Sequence, residues 1–173
     1  MTSFKSAIET TTNVALLAIT CLILWVFVAH RGLLLHSSAQ ASDFNTLRGR
    51  IISHPPGYEW KKYDETLVLA LRSGCHFCSQ SMPFYQRLSH LEQGNRLRAH
   101  LLVVMPDPES TARPELSAAG VNVESIFGQP LASIRVSGTP TLLLVDSAGH
   151  LKDAWVGQLQ PEQEQEVVDK VKY

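Results

Sequence analysis

The sequence predicts an α/β fold, a sandwich of helices around a mixed β-sheet, with an N-terminal transmembrane helix in front of it. Apolar runs of strand length alternate with helix-like segments along most of the chain. A hairpin pattern and a last amphipathic helix follow them. A separate uncharged run lies near the N-terminus over residues 14–29. The 173 residues, with a net charge of −1, are enough for one folded domain and an appendage.

The appendage has the composition of a membrane anchor. Residues 14–29 carry no charge, and Leu33–Leu35 extend the run past Arg31, which can snorkel to the headgroups. The stretch thus reaches roughly the 20 residues that a spanning helix needs. Trp25 suits the wet end of such a helix. Residues 39–41, Ala-Gln-Ala, could instead mark the cleavage site of a signal peptide, but the apolar run is long for a signal core. We therefore expect an uncleaved anchor.

Three regions follow from this pattern. We expect the anchor over residues 1–36, a juxtamembrane linker over 37–57 and a folded domain over 58–173. The breaker cluster His-Pro-Pro-Gly at residues 54–57 marks the last boundary. There is no basic stripe and no cluster of Lys and Arg interleaved with aromatic residues, so nucleic acid is not an expected partner.

The first half of the domain is predicted to be strand, helix, strand. Residues 66–71 are a short apolar run typical of a strand that is buried on both faces. Residues 76–92 have helical periodicity, and Gly94 suits the C-cap. Residues 97–105 form a second buried strand, which the Pro-Asp-Pro at 106–108 stops.

The second half continues the alternation and then changes to a hairpin. Residues 114–119 are expected to be a short helix and 121–123 a short strand. Residues 141–145 and 151–156 are two strands joined by an Asp-Ser-Ala-Gly turn. Pro161 opens an amphipathic helix that runs to the end of the chain.

Two cysteines separated by two residues, Cys75 and Cys78, directly follow the first strand. A helix that begins at Cys75 would offer its unpaired N–H groups and positive end to a thiolate. Because the thiolate is the form that attacks a disulfide, this spacing indicates a redox dithiol. The alternatives are two buried thiols or half of a zinc site. Structural zinc usually needs four ligands, and the third cysteine, Cys21, lies in the N-terminal run.

Four features together resemble the thioredoxin fold. The cysteine pair follows the expected strand, and Pro83 stands five residues past Cys78, where the family carries a helix-kinking proline. Residues 136–141 resemble the cis-proline loop, and Gly157 matches the glycine that ends the hairpin. The resemblance covers residues 58–173. The long stretch before the proline loop is similar to that of membrane-anchored thiol–disulfide reductases that support extracytoplasmic protein and cytochrome c maturation.

The resemblance implies roles for four residues. Cys75 would be the exposed nucleophile, Cys78 the more buried resolving thiol, and Pro140 a cis proline across from the pair. The backbone of Thr139 would hydrogen-bond an extended segment of the substrate. The implied activity is thiol–disulfide oxidoreduction with protein thiols and disulfides as partners, with no cofactor and no resident metal.

The two residues between the cysteines are expected to modify the site. A protonated His76 would lower the thiol pKa and favour the reduced form, although it could also be a solvent-facing loop residue. Phe77 would offer apolar surface to the partner or cover Cys78. Where thioredoxins place a buried acid, this strand has Leu69, so it has no carboxylate to take up the proton of Cys78.

Three other functions fit part of the sequence. A peroxidase-type relative would need a hydroxyl residue where Arg72 stands. A copper-binding thioredoxin-like module would use Cys75, Cys78 and a histidine, because soft thiolates select Cu(I), but such proteins usually space the cysteines further apart. A non-catalytic membrane-tethered adaptor would tolerate Cys75→Ser. We expect the oxidoreductase, with its domain outside the cytoplasm (periplasmic if bacterial), because disulfide exchange belongs to the oxidising side.

Overall fold

The computed structural model describes residues 17–26 and 48–173. Residues 17–26 are helical and belong to one structural unit, whereas residues 48–173 belong to another. None of the helices in these two described ranges has the length and hydropathy needed to cross a membrane. The predicted anchor over residues 14–29 extends at both ends outside the described residues and stays a prediction.

Five strands form one mixed sheet in the order β3-β2-β1-β4-β5. The strands are β1 (Glu65–Ala70), β2 (Ala99–Met105), β3 (Ser125–Gly128), β4 (Thr141–Asp146) and β5 (Leu151–Val156). β2 runs parallel to both β1 and β3, and β4 runs antiparallel to both β1 and β5. Every residue of β1 and β2 is buried, which explains why apolar residues predominate in both strands. The predicted mixed sheet is confirmed.

Helices cover one face of this sheet and short segments cover the other. The helices are α1 (His76–Gln80), α2 (Met82–Gln93), α3 (Glu109–Ala118) and α4 (Pro161–Val171). Leu67 and Leu69 of β1 share a buried cluster with apolar residues of all four helices, whereas Val68 and Ala70 belong to the opposite cluster. This alternation follows from the two-residue period of a strand. Each buried aliphatic side chain contributes about 1.5–3 kcal/mol, so both faces stabilise the domain.

The predicted single helix over residues 76–92 is in fact two helices that meet at Ser81. Ser81 ends α1, where its backbone N–H donates to the carbonyl oxygens of Phe77 and Cys78, both at 3.1 Å. It also precedes α2, in which Pro83 stands within the first two positions. Proline has no N–H to donate to the preceding turn but is well suited to a helix start, so the chain begins a new helix here.

The prediction of a strand at residues 121–123 is wrong. The strand that pairs with β2 is β3, Ser125–Gly128, and the helix before it starts at Glu109 rather than at Pro114. Pro114 lies inside α3. Side-chain hydrogen bonds, and not strand pairing, hold the loop between α3 and β3. The Arg113 guanidinium donates to the carbonyl oxygens of Val123 and Glu124 at 3.1 Å each.

Residues 49–52 contact the hairpin of β4 and β5. The Gly49 N–H donates to the Leu151 carbonyl oxygen at 2.8 Å, and Ile51 forms an isolated bridge with His150. Ile52 is buried, and its carbonyl oxygen accepts the indole N–H of Trp60 at 3.0 Å. These contacts belong to a segment that the sequence assigned to the linker, and the predicted region boundaries stay predictions.

Candidate active site

The two cysteines lie just past the carboxyl end of β1. Cys75 is the N-cap of α1 and Cys78 lies in its first turn, which is the placement that the sequence predicted. The Cys78 backbone N–H donates to Cys75 Sγ at 3.2 Å. Both are free thiols; Cys75 is half-buried and Cys78 is only 1% exposed. An incoming disulfide can therefore reach Cys75 but not Cys78.

Thr139, in the loop before β4, faces Cys75 and is followed by Pro140. The peptide bond between Thr139 and Pro140 is cis, as predicted. The Thr139 hydroxyl donates to Cys75 Sγ at 3.4 Å, and the Cys75 thiol lies 3.6 Å from the Thr139 carbonyl oxygen, to which it can donate. The contact joins residues 64 apart in the sequence. The sequence indicated a role for the Thr139 backbone, but it did not predict that its hydroxyl would bond the sulfur.

Hydrogen bonds lower the pKa of Cys75. Partial burial alone would raise this pKa, but the Cys78 thiol, the Thr139 hydroxyl and the backbone N–H groups of Cys78 and Phe77 outweigh it. Each of these donors stabilises the thiolate more than the thiol. Because α1 has only five residues, the stabilisation comes from these local donors rather than from a long helix dipole.

The environment of Cys78 has the opposite effect. Burial is the largest cause that raises the pKa of Cys78 to about 11, and its thiol also donates to Cys75. The backbone N–H of Arg72 and the Thr139 hydroxyl offset part of this shift. At neutral pH, Cys75 is consequently the thiol that loses its proton first.

His76 and Phe77 project from α1 into solvent. His76 is exposed and Phe77 is 53% exposed, and their ring centroids are 5.6 Å apart with the planes inclined at 63°. Phe77 contributes to the lowered pKa of Cys75 through its backbone N–H, and its ring stays free to meet a partner. Phe77 thus presents apolar surface beside the reactive sulfur, whereas Cys78 is packed in the helix-covered cluster.

β1 carries an aliphatic side chain near its cysteine end and its carboxylate at the other end. Leu69 is fully buried, and the carboxylate of this strand, Glu65, lies at the opposite end. Glu65 is engaged there by Lys152 and by Arg98, whose guanidinium is 3.3 Å away. The sequence did not single out Tyr85, which is buried in the same cluster as Cys78; burial raises the pKa of this phenol.

A resident metal has no obvious ligand set in the residues that the structure describes. No group of three or more His, Cys, Asp or Glu side chains there is placed to hold an ion.

A mixed sheet with this strand order, a Cys-x-x-Cys pair at α1 and a cis-proline loop beside the first cysteine give the chain a thioredoxin-like fold. No protein-family model matches the chain. No curated protein matches its sequence either. The evidence for the class is therefore structural.

Three solved structures show the likeness. A secreted thiol-disulfide isomerase from Corynebacterium glutamicum has a TM-score of 0.50 and 16% identity over 63% of this chain and 69% of its own. A thiol:disulfide interchange protein from Bacteroides sp. has a TM-score of 0.50 and 18% identity, over 64% of this chain and 75% of its own. A thioredoxin family thiol:disulfide interchange protein from Chlorobium tepidum TLS has a TM-score of 0.50 and 13% identity, over 65% of this chain and 81% of its own. At these identities the likeness establishes the fold.

Proposed function

We propose that this protein is a thiol–disulfide oxidoreductase that exchanges electrons with protein partners through Cys75 and Cys78. The observation that carries the proposal is the difference in accessibility and in pKa between the two thiols. Cys75 is accessible and its thiolate is stabilised by donors from α1 and from Thr139, whereas Cys78 is buried and its pKa is about 11. Such a pair provides one attacking and one resolving sulfur.

In the reducing direction, the Cys75 thiolate attacks one sulfur of the partner's disulfide. An S–S bond forms between Cys75 and that sulfur, and the other partner sulfur leaves as a thiolate. This thiolate takes up the proton of the Cys78 thiol, directly or through water. Cys78, now a thiolate, attacks Cys75 Sγ, closes the intramolecular disulfide and releases the second partner sulfur as a thiolate, which solvent protonates. Two electrons pass from the dithiol to the partner, and oxidation follows the same steps in reverse.

The groove for the partner would lie between Phe77 and the Thr139–Pro140 loop. Phe77 is exposed beside Cys75, and an extended segment of the partner could bond the backbone of Thr139 in the manner of an added strand. His76 would lie at the rim of this groove and meet the partner through its exposed ring.

Trapping of mixed disulfides tests the assignment of roles. Cys78→Ser and Cys75→Ser are compared in a Cys21→Ser background, so that one active-site thiol remains in each variant. Cys78→Ser should accumulate covalent partners on Cys75 on non-reducing gels, because no resolving thiol can release them. Equal trapping by Cys75→Ser, or reduction of insulin disulfides by Cys75→Ser at the wild-type rate, would refute the proposal.

The reduction potential of the couple decides the direction of electron flow. A value near or below about −270 mV would make the protein a reductase, and a value near −120 mV an oxidase. Stabilisation of the Cys75 thiolate favours the reduced dithiol and moves the couple toward the oxidising end of this range.

We also propose, from the sequence, that residues 14–29 anchor the protein in a membrane with the cysteines outside the cytoplasm. The support is the uncharged run itself and the oxidising environment that disulfide exchange with folding proteins needs. A membrane-impermeant thiol reagent, applied to intact cells after reduction, should label Cys75. Labelling only after the cells are broken would overturn this location.

A further inference from the structure

The turn between β1 and α1 leads directly into the cysteine pair. Its first residue, Arg72, accepts a hydrogen bond from the Cys75 N–H at 3.3 Å through its carbonyl oxygen. Gly74 has φ +69°, the left-handed conformation that suits the third position of a tight turn. The conformation of residues 72–75 therefore sets the position of Cys75 at the start of α1.

Each end of this turn is fixed by the fold. Just before it, the Leu71 N–H donates to the Val104 carbonyl oxygen of β2 at 3.0 Å. Just after it, Cys75 caps α1. Between these two points, Ser73 is half-buried at the apex of the turn, and its hydroxyl donates to Glu115 Oε2 at 2.6 Å. This bond joins the turn to α3, which lies 42 residues further along the chain.

α3 is a firm support for that bond. Ala112 and Leu116 are fully buried in the helix-covered cluster, and Leu116 is the neighbour of Glu115. Arg113 ties the same helix to the loop before β3, and the Gln86 side chain of α2 donates to the carbonyl oxygen of Ala119 just past its end. Because the helix is held at several points, its glutamate can hold the turn.

We propose that Glu115 is a positioning residue for the cysteine pair. Its carboxylate holds Ser73, and through Ser73 it keeps the Arg72–Cys75 turn in the conformation that presents Cys75 to Thr139. Glu115 acts through the turn and does not touch the reacting sulfurs. The inference rests on the proposed function for its biological meaning, but the effect on Cys75 can be measured without a partner.

The test compares Glu115→Ala, Glu115→Gln, Ser73→Ala and the double variant Ser73→Ala/Glu115→Ala in the full chain. The readout is the rate at which iodoacetamide alkylates reduced Cys75 across a pH series, with the thermal stability measured in parallel. Glu109→Ala is the matched control, because Glu109 lies on the same helix and pairs with Arg113 through a 2.6 Å contact.

Glu115→Ala and Ser73→Ala should each slow alkylation at neutral pH about threefold, as expected for the loss of one hydrogen bond that acts indirectly. The double variant should be no slower than either single one, since both remove the same bond. Glu115→Gln, which keeps an oxygen acceptor, should retain the wild-type profile.

An unchanged profile in Glu115→Ala, additive effects in the double variant, or an equal loss in Glu109→Ala would overturn the proposal. Failure of the proposed function looks different. The wild type would then not exchange disulfides with a protein substrate, whereas the alkylation profiles would still separate the Glu115 variants from the control.

Discussion

Thr139→Val replaces the hydroxyl that faces the reactive sulfur by a methyl group of similar size. In the wild type this hydroxyl donates to Cys75 Sγ at 3.4 Å from the loop on the opposite side of the site. The substitution leaves the Thr139 carbonyl oxygen and the backbone N–H groups of Cys78 and Phe77 in place. It therefore removes one of several hydrogen bonds that stabilise the Cys75 thiolate.

The expected size of the effect follows from the kind of bond that is lost. A hydrogen bond to a charged group contributes about 1.5–3 kcal/mol, and a half-buried sulfur acceptor at this distance lies below that range, at about 1 kcal/mol. This loss lowers the thiolate-to-thiol ratio of Cys75 by about fivefold at a pH where the thiol predominates. The pKa of Cys75 should rise, and the couple should become more reducing because the dithiol loses stabilisation.

The assay is the thiolate absorbance near 240 nm as a function of pH, together with the alkylation rate of Cys75. Ser137→Ala is the matched control, since Ser137 is an exposed hydroxyl residue in the same loop. Thr139→Val should shift the titration of Cys75 to higher pH and Ser137→Ala should not. A titration that is unchanged or moves to lower pH in Thr139→Val would refute the reasoning about how this thiolate is stabilised.

Three further results are expected. Phe77→Ala should leave the melting temperature unchanged and slow exchange with a protein substrate several-fold, while a small disulfide reacts at the wild-type rate, because the ring is exposed beside the sulfur; equal slowing of both would contradict this. In Cys75→Ser, the buried Cys78 thiol should be alkylated at neutral pH at least about tenfold more slowly than Cys75 in the wild type, consistent with its pKa of about 11. Burial alone would raise the pKa of Asp153, but the hydrogen bond from Lys170 and the contact with Arg48 outweigh it and lower this pKa below the ordinary 3.8. The ionised Asp153 therefore stabilises the fold above pH 3.8, and this stabilisation is lost as the pH falls through the lowered pKa of the folded state. Asp153→Asn should cost about 1–2 kcal/mol near neutral pH and flatten the acid branch of the stability curve in thermal melts, and an unchanged acid branch would contradict the assignment.

The features that could be predicted from the sequence are those with a strong local signal. The apolar run of β1 is nearly continuous because both faces of a central strand are buried, and the spacing of Cys75 and Cys78 is visible without any structure. Thr139 contacts Cys75 from a distant part of the chain, so the place of its loop beside the cysteines is implied by the resemblance and not by the residues alone.

Other features are set by tertiary context and left weak signals. β3 is a four-residue edge strand that contains serine and glycine, and one neighbouring strand, β2, determines where it lies. Pro114 favoured a helix start, but the buried Ala112 and Leu116 place it inside α3. Glu115 has the appearance of an ordinary solvent-facing helix residue, and its bond to Ser73 is visible only when the turn and the helix are placed together.

The most direct test of the redox claim is an equilibrium titration of the purified chain against glutathione redox buffers, in which the Cys75–Cys78 disulfide is quantified by mass after alkylation of the free thiols. A Cys21→Ser background restricts the measurement to the two active-site thiols. We expect a single reversible two-electron transition, in which a tenfold change in the oxidised-to-reduced ratio needs about 30 mV. The absence of an intramolecular disulfide at any potential, with only glutathione adducts on Cys75, would contradict it.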